Sequence, residues 1–453
     1  MSNSNSKKLN IVIIGYGTGG MTAAAYARNT CRECNIIVFE KRPYPIYHPC
    51  ALPEVISGYL RPEDVIEHRP LTPGIKIQTS TEVKRIDLSN KRVYYCSTNG
   101  EGVIEYDKLI LAMGSIPSVP GALREALKIK DVYTLKTLED AVTIRRKALS
   151  SKEAIVIGAG PIGIEAAIAL KELGLKVYLI EALSEVLPAT LDKDMGSIIR
   201  RMLIEENIEV LVDAPVSEIS RQGDKVLVKA SDKQFLVDMV ILATGMKPNS
   251  KLAIEAGIKA NEKEFIIVDE YLRTSDEDTY AVGDLIQTWD YITHKPTISM
   301  LATTAFHQGR IAGINSVGGN EKYLGTLSPF ILKTSRIASG STGLTKARAE
   351  QLGLKTYSAR VLGWDKPHYM PNTDKVYVKI VYNDEQRIIG GQVVCKECDV
   401  SKYVDIISTL IKFNATVETL IELETSYTPR LSDVYTPLYT VGEAILRRIK
   451  RKK

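Results

Sequence analysis

The chemistry of this 453-residue chain can be read first at Cys50 and at two glycine-rich loops. Cys50 stands in Tyr47-His48-Pro49-Cys50-Ala51-Leu52-Pro53, at the start of a short predicted helix running to Gly58. The positive end of a helix stabilises a thiolate, and a thiolate is the form of cysteine that attacks a sulfur–sulfur bond. Pro53 is tolerated because it falls in the first helical turn. His48 offers either positive charge toward the thiol or a stacking and capping role. The other cysteines are Cys96 and two CxxC pairs, Cys31/Cys34 and Cys395/Cys398. Four such sulfurs are in principle a zinc ligand set. The pairs lie more than 350 positions apart, and each adjoins a predicted strand. A local disulfide or plain packing is therefore expected, with no metal site.

The first glycine loop, Gly15-Tyr16-Gly17-Thr18-Gly19-Gly20, follows the apolar run Leu9–Ile14 and leads into an alanine-rich helix. A second strand, Ile36–Phe39, ends at Glu40. The design recurs: strand Ala154–Ile157, loop Gly158-Ala159-Gly160-Pro161-Ile162-Gly163, a helix, and strand Lys176–Ile180 ending at Glu181. In such a unit one glycine allows the tight turn, one lets the backbone approach a pyrophosphate, and one lets helix and strand pack closely. The helix N-terminus holds the phosphates, and the acid about 20 residues on accepts hydrogen bonds from ribose hydroxyls. Both acids argue against a 2′-phosphate. One such loop is weak evidence; two complete copies are strong.

The elements that must position these groups can also be read. Lys108–Leu111 leads into Ala112-Met113-Gly114, Met239–Leu242 leads into Ala243-Thr244-Gly245, and Thr279–Val282 ends at Gly283-Asp284. A helix is expected within residues 303–319. From about residue 325 alternating strands, a hairpin turn at Asn383-Asp384 and two closing helices read as an α+β domain. The length allows roughly three domains at ~150 residues each. With 44% hydrophobic and 25% charged residues, a disordered or fibrous chain is excluded. No apolar run reaches ~18 residues, so no transmembrane helix is expected. The start, MSNSNSKK, reads as a short disordered tail rather than a signal peptide, which places the protein in a reducing cytoplasm. Net charge is +5, and the one basic cluster, Arg447–Lys453, reads as a solvated end or a weak contact for an anionic surface. No nucleic-acid partner is expected.

Together these segments, over about residues 9–445, resemble the two-dinucleotide flavoprotein disulfide reductases. The resemblance implies an α/β fold with two Rossmann-like domains, for FAD and NAD, plus a C-terminal α+β dimerisation domain. The expected boundaries are 1–118 and 249–324 for the FAD domain, 119–248 for the NAD(P)H domain, and 325–453 for the dimerisation domain. It implies FAD contacts at Gly15, Gly17, Gly19, Gly20, Glu40, Lys41, Val83, Met113, Gly114, Asp284, Ala302 and Thr303. Contacts to the pyridine nucleotide fall at Gly158, Gly160, Ile162, Gly163, Glu181 and Gly245, with NADH favoured over NADPH by the terminal acid.

Members with a CxxxxC pair use an internal disulfide. Here position 55 is Val55, so the chain resembles the single-cysteine branch: coenzyme A-disulfide reductases, NADH oxidases and peroxidases, and sulfur or polysulfide reductases. The string Cys-Ala-Leu-Pro is close to the coenzyme A-disulfide reductase form. That likeness extends to Pro367-His368-Tyr369-Met370-Pro371 and Tyr427-Thr428-Pro429. It implies that Tyr369 and Tyr427 reach the reactive cysteine from the neighbouring subunit of a homodimer and serve a leaving thiolate. Arg28 and His48 are the candidate contacts to substrate.

Four departures accompany the resemblance. Met113 replaces threonine in Ala112-Met113-Gly114, where the family's usual Ala-Thr-Gly is intact at Ala243-Thr244-Gly245, and the glycine turn survives. Thr18 replaces the histidine of the peroxidases, which counts against peroxide chemistry. Pro161 stands where relatives often carry an aromatic gate over the nicotinamide pocket. Residues 59–74 are proline-rich and short, so substrate contacts there are not carried over. The expected acceptor is a small disulfide, foremost coenzyme A disulfide. Oxygen, polysulfide and a ferredoxin-like protein remain alternatives.

Overall fold

The computed structural model describes residues 8–67 and 72–451. The N-terminal segment at 1–7, part of the proline-rich stretch at 68–71, and the last two lysines of the basic cluster lie outside the described residues.

The chain divides into two units. One comprises residues 1–52, 60–118 and 246–326; the other comprises 53–59, 119–245 and 327–453. The first unit is organised by a five-stranded parallel sheet in the order Thr279–Ala281, Lys108–Leu111, Asn10–Ile14, Asn35–Phe39, Ile75–Gln78. Ile11, Val12, Ile13 and Ile14 are all buried, as expected of a strand covered on both faces. Helix Thr18–Thr30 follows the first strand and packs against helix Ala302–Asn315. Gly309 and Gly313 permit that approach, since a Cβ at either would overlap the backbone oxygen of Gly19 or Ala23. A three-stranded antiparallel sheet, Thr81–Asp87, Arg92–Ser97 and Gly100–Glu105, completes this unit's larger elements.

The second unit repeats the parallel design: Val132–Thr134, Met239–Leu242, Glu153–Ile157, Lys176–Ile180, Ile208–Leu211. It also carries an antiparallel sheet of Val216–Gln222, Lys225–Ala230 and Lys233–Val237. Lys225–Ala230 alternates half-buried and buried positions, the pattern of a strand with one covered face. These two small sheets are elements the sequence reading did not resolve.

The C-terminal part is an antiparallel sheet in the order Phe330–Lys333, Ala338–Gly343, Ile388–Cys395, Lys375–Asn383, Thr356–Trp364. Helices Ser401–Lys412, Thr419–Glu422 and Pro437–Lys450 follow. The expected α+β pattern and the hairpin after Asn383 are present. Among the described residues three helices, not two, close the chain. No described helix is long and apolar enough to cross a membrane.

Candidate nucleotide and thiol sites

The glycines of the two loops divide their tasks in the same way. Gly15 (φ +95°) and Gly158 (φ +103°) take backbone angles that L side chains rarely adopt. A Cβ there would overlap Ala112 O in the first loop and Ala243 O in the second. At Gly20 and Gly163 a Cβ would collide with the carbonyl oxygens of Gly15 and Gly158. At Gly17 and Gly160 it would meet no atom within 4 Å. These middle glycines are the N-caps of the following helices and supply no side-chain acceptor. The first-turn N–H groups of each helix therefore point to an open side suited to phosphate. Pro161 takes the first position of the second helix, where its missing N–H is harmless.

Both terminal acids bind back to their loops. Glu40 Oε2 accepts the Tyr16 N–H at 3.0 Å, and Glu181 Oε2 accepts the Ala159 N–H at 2.8 Å. Glu40 Oε1 accepts the Arg42 N–H at 3.0 Å, and Glu181 Oε1 accepts the Leu183 N–H at 2.9 Å. The first site adds a feature absent from the sequence reading. The Arg42 guanidinium grips Glu40 at 2.8 and 2.7 Å while lying 4.6 Å from the centre of the Tyr47 ring. Its signal was an arginine two residues after the acid.

Other expected contacts fall around the first loop. Lys41 is exposed, and Val83 and Met113 pack partly against the unit's core. Gly114 (φ +66°) accepts the Asn249 N–H at 2.9 Å. Asp284 lies in the short turn Gly283–Leu285, where its Oδ2 accepts from Ser115 Oγ at 2.7 Å. The Gly283 N–H is held by Gln308 Oε1 at 2.8 Å. Ala302 and Thr303 begin their helix exposed. In the second unit, Ile162 follows Pro161 and Gly245 (φ +120°) ends the turn after Met239–Leu242. The open glycine cradle, the docked acid and the Asp284 turn fit a dinucleotide with a pyrophosphate, and FAD is the group these residues of the first unit would hold.

Cys50 is exposed and outside the disulfides. It sits in the 3-10 turn Pro49–Ala51, with His48 at the N-cap position but making no side-chain cap bond, and is followed at once by helix Leu52–Ser57. The expected helix start is thus a tighter turn feeding a short α-helix. In the second unit Arg145 Nη1 donates to Ile56 O at 2.7 Å and fixes that helix's last turn. His48 Nε2 lies 3.8 Å from Glu67 Oε2, so a charged His48 has a carboxylate partner. Arg28 is spent on backbone: it donates to the carbonyls of Cys31 (3.4 Å), Arg32 (2.5 Å), Cys34 (2.8 Å) and Gly74. Both CxxC pairs close local disulfides, Cys31–Cys34 and Cys395–Cys398.

Tyr369 and Tyr427, both exposed, are brought together in the second unit with hydroxyls 3.3 Å apart. The hydrogen bond to Tyr369 is the main reason the Tyr427 phenol is held above its ordinary pKa. A pair of acids went unseen in the sequence: burial, reinforced by Glu54, pushes the Glu165 carboxyl up to about 8. Glu165 lies on the helix after the second glycine loop.

Comparison with known proteins agrees with this architecture. The chain is 33% identical over 449 residues to an NADH oxidase of Methanocaldococcus jannaschii, covering 97% of this chain and 99% of that one. It is 30% identical over 454 residues to an NAD(P)H coenzyme A polysulfide/persulfide reductase of Pyrococcus horikoshii, again 97% and 99%. The structure of an NAD-dependent persulfide reductase from A. fulgidus superposes with a TM-score of 0.92 at 32% identity, covering 98% of this chain and 84% of that one. The pyridine nucleotide-disulphide oxidoreductase profile matches residues 9–309, and the dimerisation-domain profile of the same family matches residues 331–438. The chain accordingly belongs to the pyridine nucleotide-disulphide oxidoreductases, FAD-dependent enzymes that take electrons from a pyridine nucleotide.

Proposed function

We propose that this NAD(P)H-dependent flavoprotein reduces a small disulfide or persulfide through Cys50, with coenzyme A disulfide the foremost candidate. The observation that carries the reading is the exposure of Cys50 in a turn that opens a helix, at the end of the first nucleotide-binding repeat. Bound FAD supplies the two-electron relay between pyridine nucleotide and sulfur. The Cys50 thiolate attacks one sulfur of the acceptor, forming a mixed disulfide and expelling the other half as a thiolate. Two electrons then cleave that mixed disulfide and return Cys50 to its thiolate. Tyr427, hydrogen-bonded to Tyr369, gives a proton to the leaving sulfur; in our reading both phenols come from the second subunit of a homodimer. Glu181, at the end of the second repeat's strand, would accept from the ribose hydroxyls of a bound dinucleotide and disfavour a 2′-phosphate, which makes NADH the preferred donor.

A second reading has oxygen as acceptor and is favoured by the name of the 33% identical relative. The two separate in one anaerobic experiment. The enzyme is reduced with one equivalent of NADH, then offered coenzyme A disulfide, polysulfide or oxygen. Fastest reoxidation by a sulfur acceptor is the expected result, whereas oxygen outpacing both sulfur compounds overturns it.

A further inference from the structure

The Cys395–Cys398 disulfide lies outside the sites described above, yet its turn is bonded to Asp374, at the base of the loop that carries Tyr369. Strands Thr356–Trp364 and Lys375–Asn383 pair through Trp364 and Lys375, leaving Asp365–Asp374 as the loop between them. Tyr369 sits near the middle of that loop. Its base is closed by two bonds: the Asp365 N–H donates to Asp374 O at 3.0 Å, and the Asp374 N–H to Asp365 Oδ1 at 2.7 Å. Within the loop Thr373 Oγ1 donates to Pro367 O (3.0 Å) and Met370 O (2.8 Å).

The Asp374 side chain points the other way, to the disulfide turn. One oxygen, Oδ2, accepts the N–H groups of Lys396 (2.7 Å), Glu397 (2.7 Å) and Cys398 (3.2 Å). Three amides converging on one oxygen make an anion nest, and N–H bonds to a carboxylate are stronger than neutral ones. The turn itself is cross-linked. Cys395 ends the fully buried strand Ile388–Cys395, and the disulfide closes the turn. Both sulfurs lie within 4.8 Å of the carboxylate. As a disulfide they carry no charge there, whereas a thiolate would repel Asp374.

We propose that Asp374 is a positioning residue: by tying the base of the Tyr369 loop to the Cys395–Cys398 turn, it fixes the phenol of Tyr369 against that of Tyr427. The inference rests on the acceptor-side role given above to the two tyrosines. It assigns the disulfide a structural part in that role, since the disulfide closes the turn that presents the three amides.

The test uses the flavin-loaded enzyme and three substitutions: Asp374→Ala, Asp374→Asn and Tyr369→Phe. NADH reduction of the flavin keeps its wild-type rate in Asp374→Ala and Asp374→Asn. Reoxidation by coenzyme A disulfide slows about ten-fold in Asp374→Ala, the scale of coupling within one hydrogen-bond network. The Asp374→Ala/Tyr369→Phe double variant is no slower than Tyr369→Phe alone, because both changes remove the same function. Additive losses, or equal slowing of both half-reactions, overturn the proposal. Hydrogen exchange decides the positioning claim independently of catalysis. In Asp374→Ala the peptide spanning 365–374 exchanges about ten-fold faster, while helix Ser401–Lys412 is unchanged; unchanged loop exchange overturns the proposal. If Tyr369→Phe leaves reoxidation untouched, the functional reading of the tyrosines fails, and loop exchange still tests Asp374. Asp374→Asn keeps one oxygen for the turn; it serves if the alanine variant does not fold, with an intermediate effect expected.

Discussion

The hydroxyls of Tyr369 and Tyr427 meet at 3.3 Å although 58 residues separate them in the chain. Tyr427 acts in the proposed reaction as the protonated donor, so activity is lost as pH rises through its pKa. The Tyr369 hydrogen bond is the first cause holding that pKa up. Replacing Tyr369 by Phe therefore moves the alkaline limb of acceptor-dependent kcat to lower pH. Tyr427→Phe slows the same step by about 100-fold, the contribution typical of a positioned proton donor. The pH–rate profiles of the three enzymes check both statements, and an unmoved limb in Tyr369→Phe counts against the pairing.

Glu165 predicts a stability trend with pH. Its carboxyl is raised to about 8, chiefly by burial and then by Glu54. The folded state keeps a proton that the unfolded chain has already released. The associated stability is therefore present below the ordinary carboxylate pKa and declines as pH rises toward 8. Glu165→Gln makes the fall in Tm between pH 5 and pH 8 smaller, and Glu54→Gln does so in part by removing a like charge. Melting curves of the flavin-loaded proteins over that range provide the check; identical slopes in wild type and Glu165→Gln refute it.

The loop glycines separate folding from cofactor binding. At Gly20 a Cβ would strike the Gly15 carbonyl, while at Gly17 it would enter open space. Gly20→Ala is expected to destabilise the protein by about 3 kcal/mol or more, at the upper end of overpacking. Gly17→Ala keeps the melting temperature of the flavin-stripped protein and loses flavin affinity, since the added methyl stands where phosphate must approach. Flavin content after purification, together with apoprotein melting, distinguishes the two.

Local patterns account for what could be read in the chain. Each loop with its terminal acid is a short-range design, so Gly15 through Glu40 and Gly158 through Glu181 could be identified from spacing. Cys50 could be identified because its neighbours signal a helix start. Asp374 had no such signal: its partners are backbone amides of residues 396–398, which carry no residue-type signature. Arg28 suits a phosphate by type, but the carbonyls it engages emerge only when Cys31–Cys34 and Gly74 fold beside it. Proline-rich residues 59–74 read as a substrate border. Among the described residues they form the 3-10 turn Pro62–Val65 and a short strand Ile66–Glu67 paired with Ile46–Tyr47, a pairing set by the tertiary fold.

Cys50 carries the account, and a single anaerobic stopped-flow comparison tests it most directly. Cys50→Ser and wild type are each reduced by NADH and then mixed with coenzyme A disulfide. The account predicts flavin reduction at the wild-type rate in the variant and reoxidation by the disulfide slowed about 1,000-fold or more, as for loss of a nucleophile. Reoxidation of Cys50→Ser by coenzyme A disulfide at the wild-type rate would contradict it.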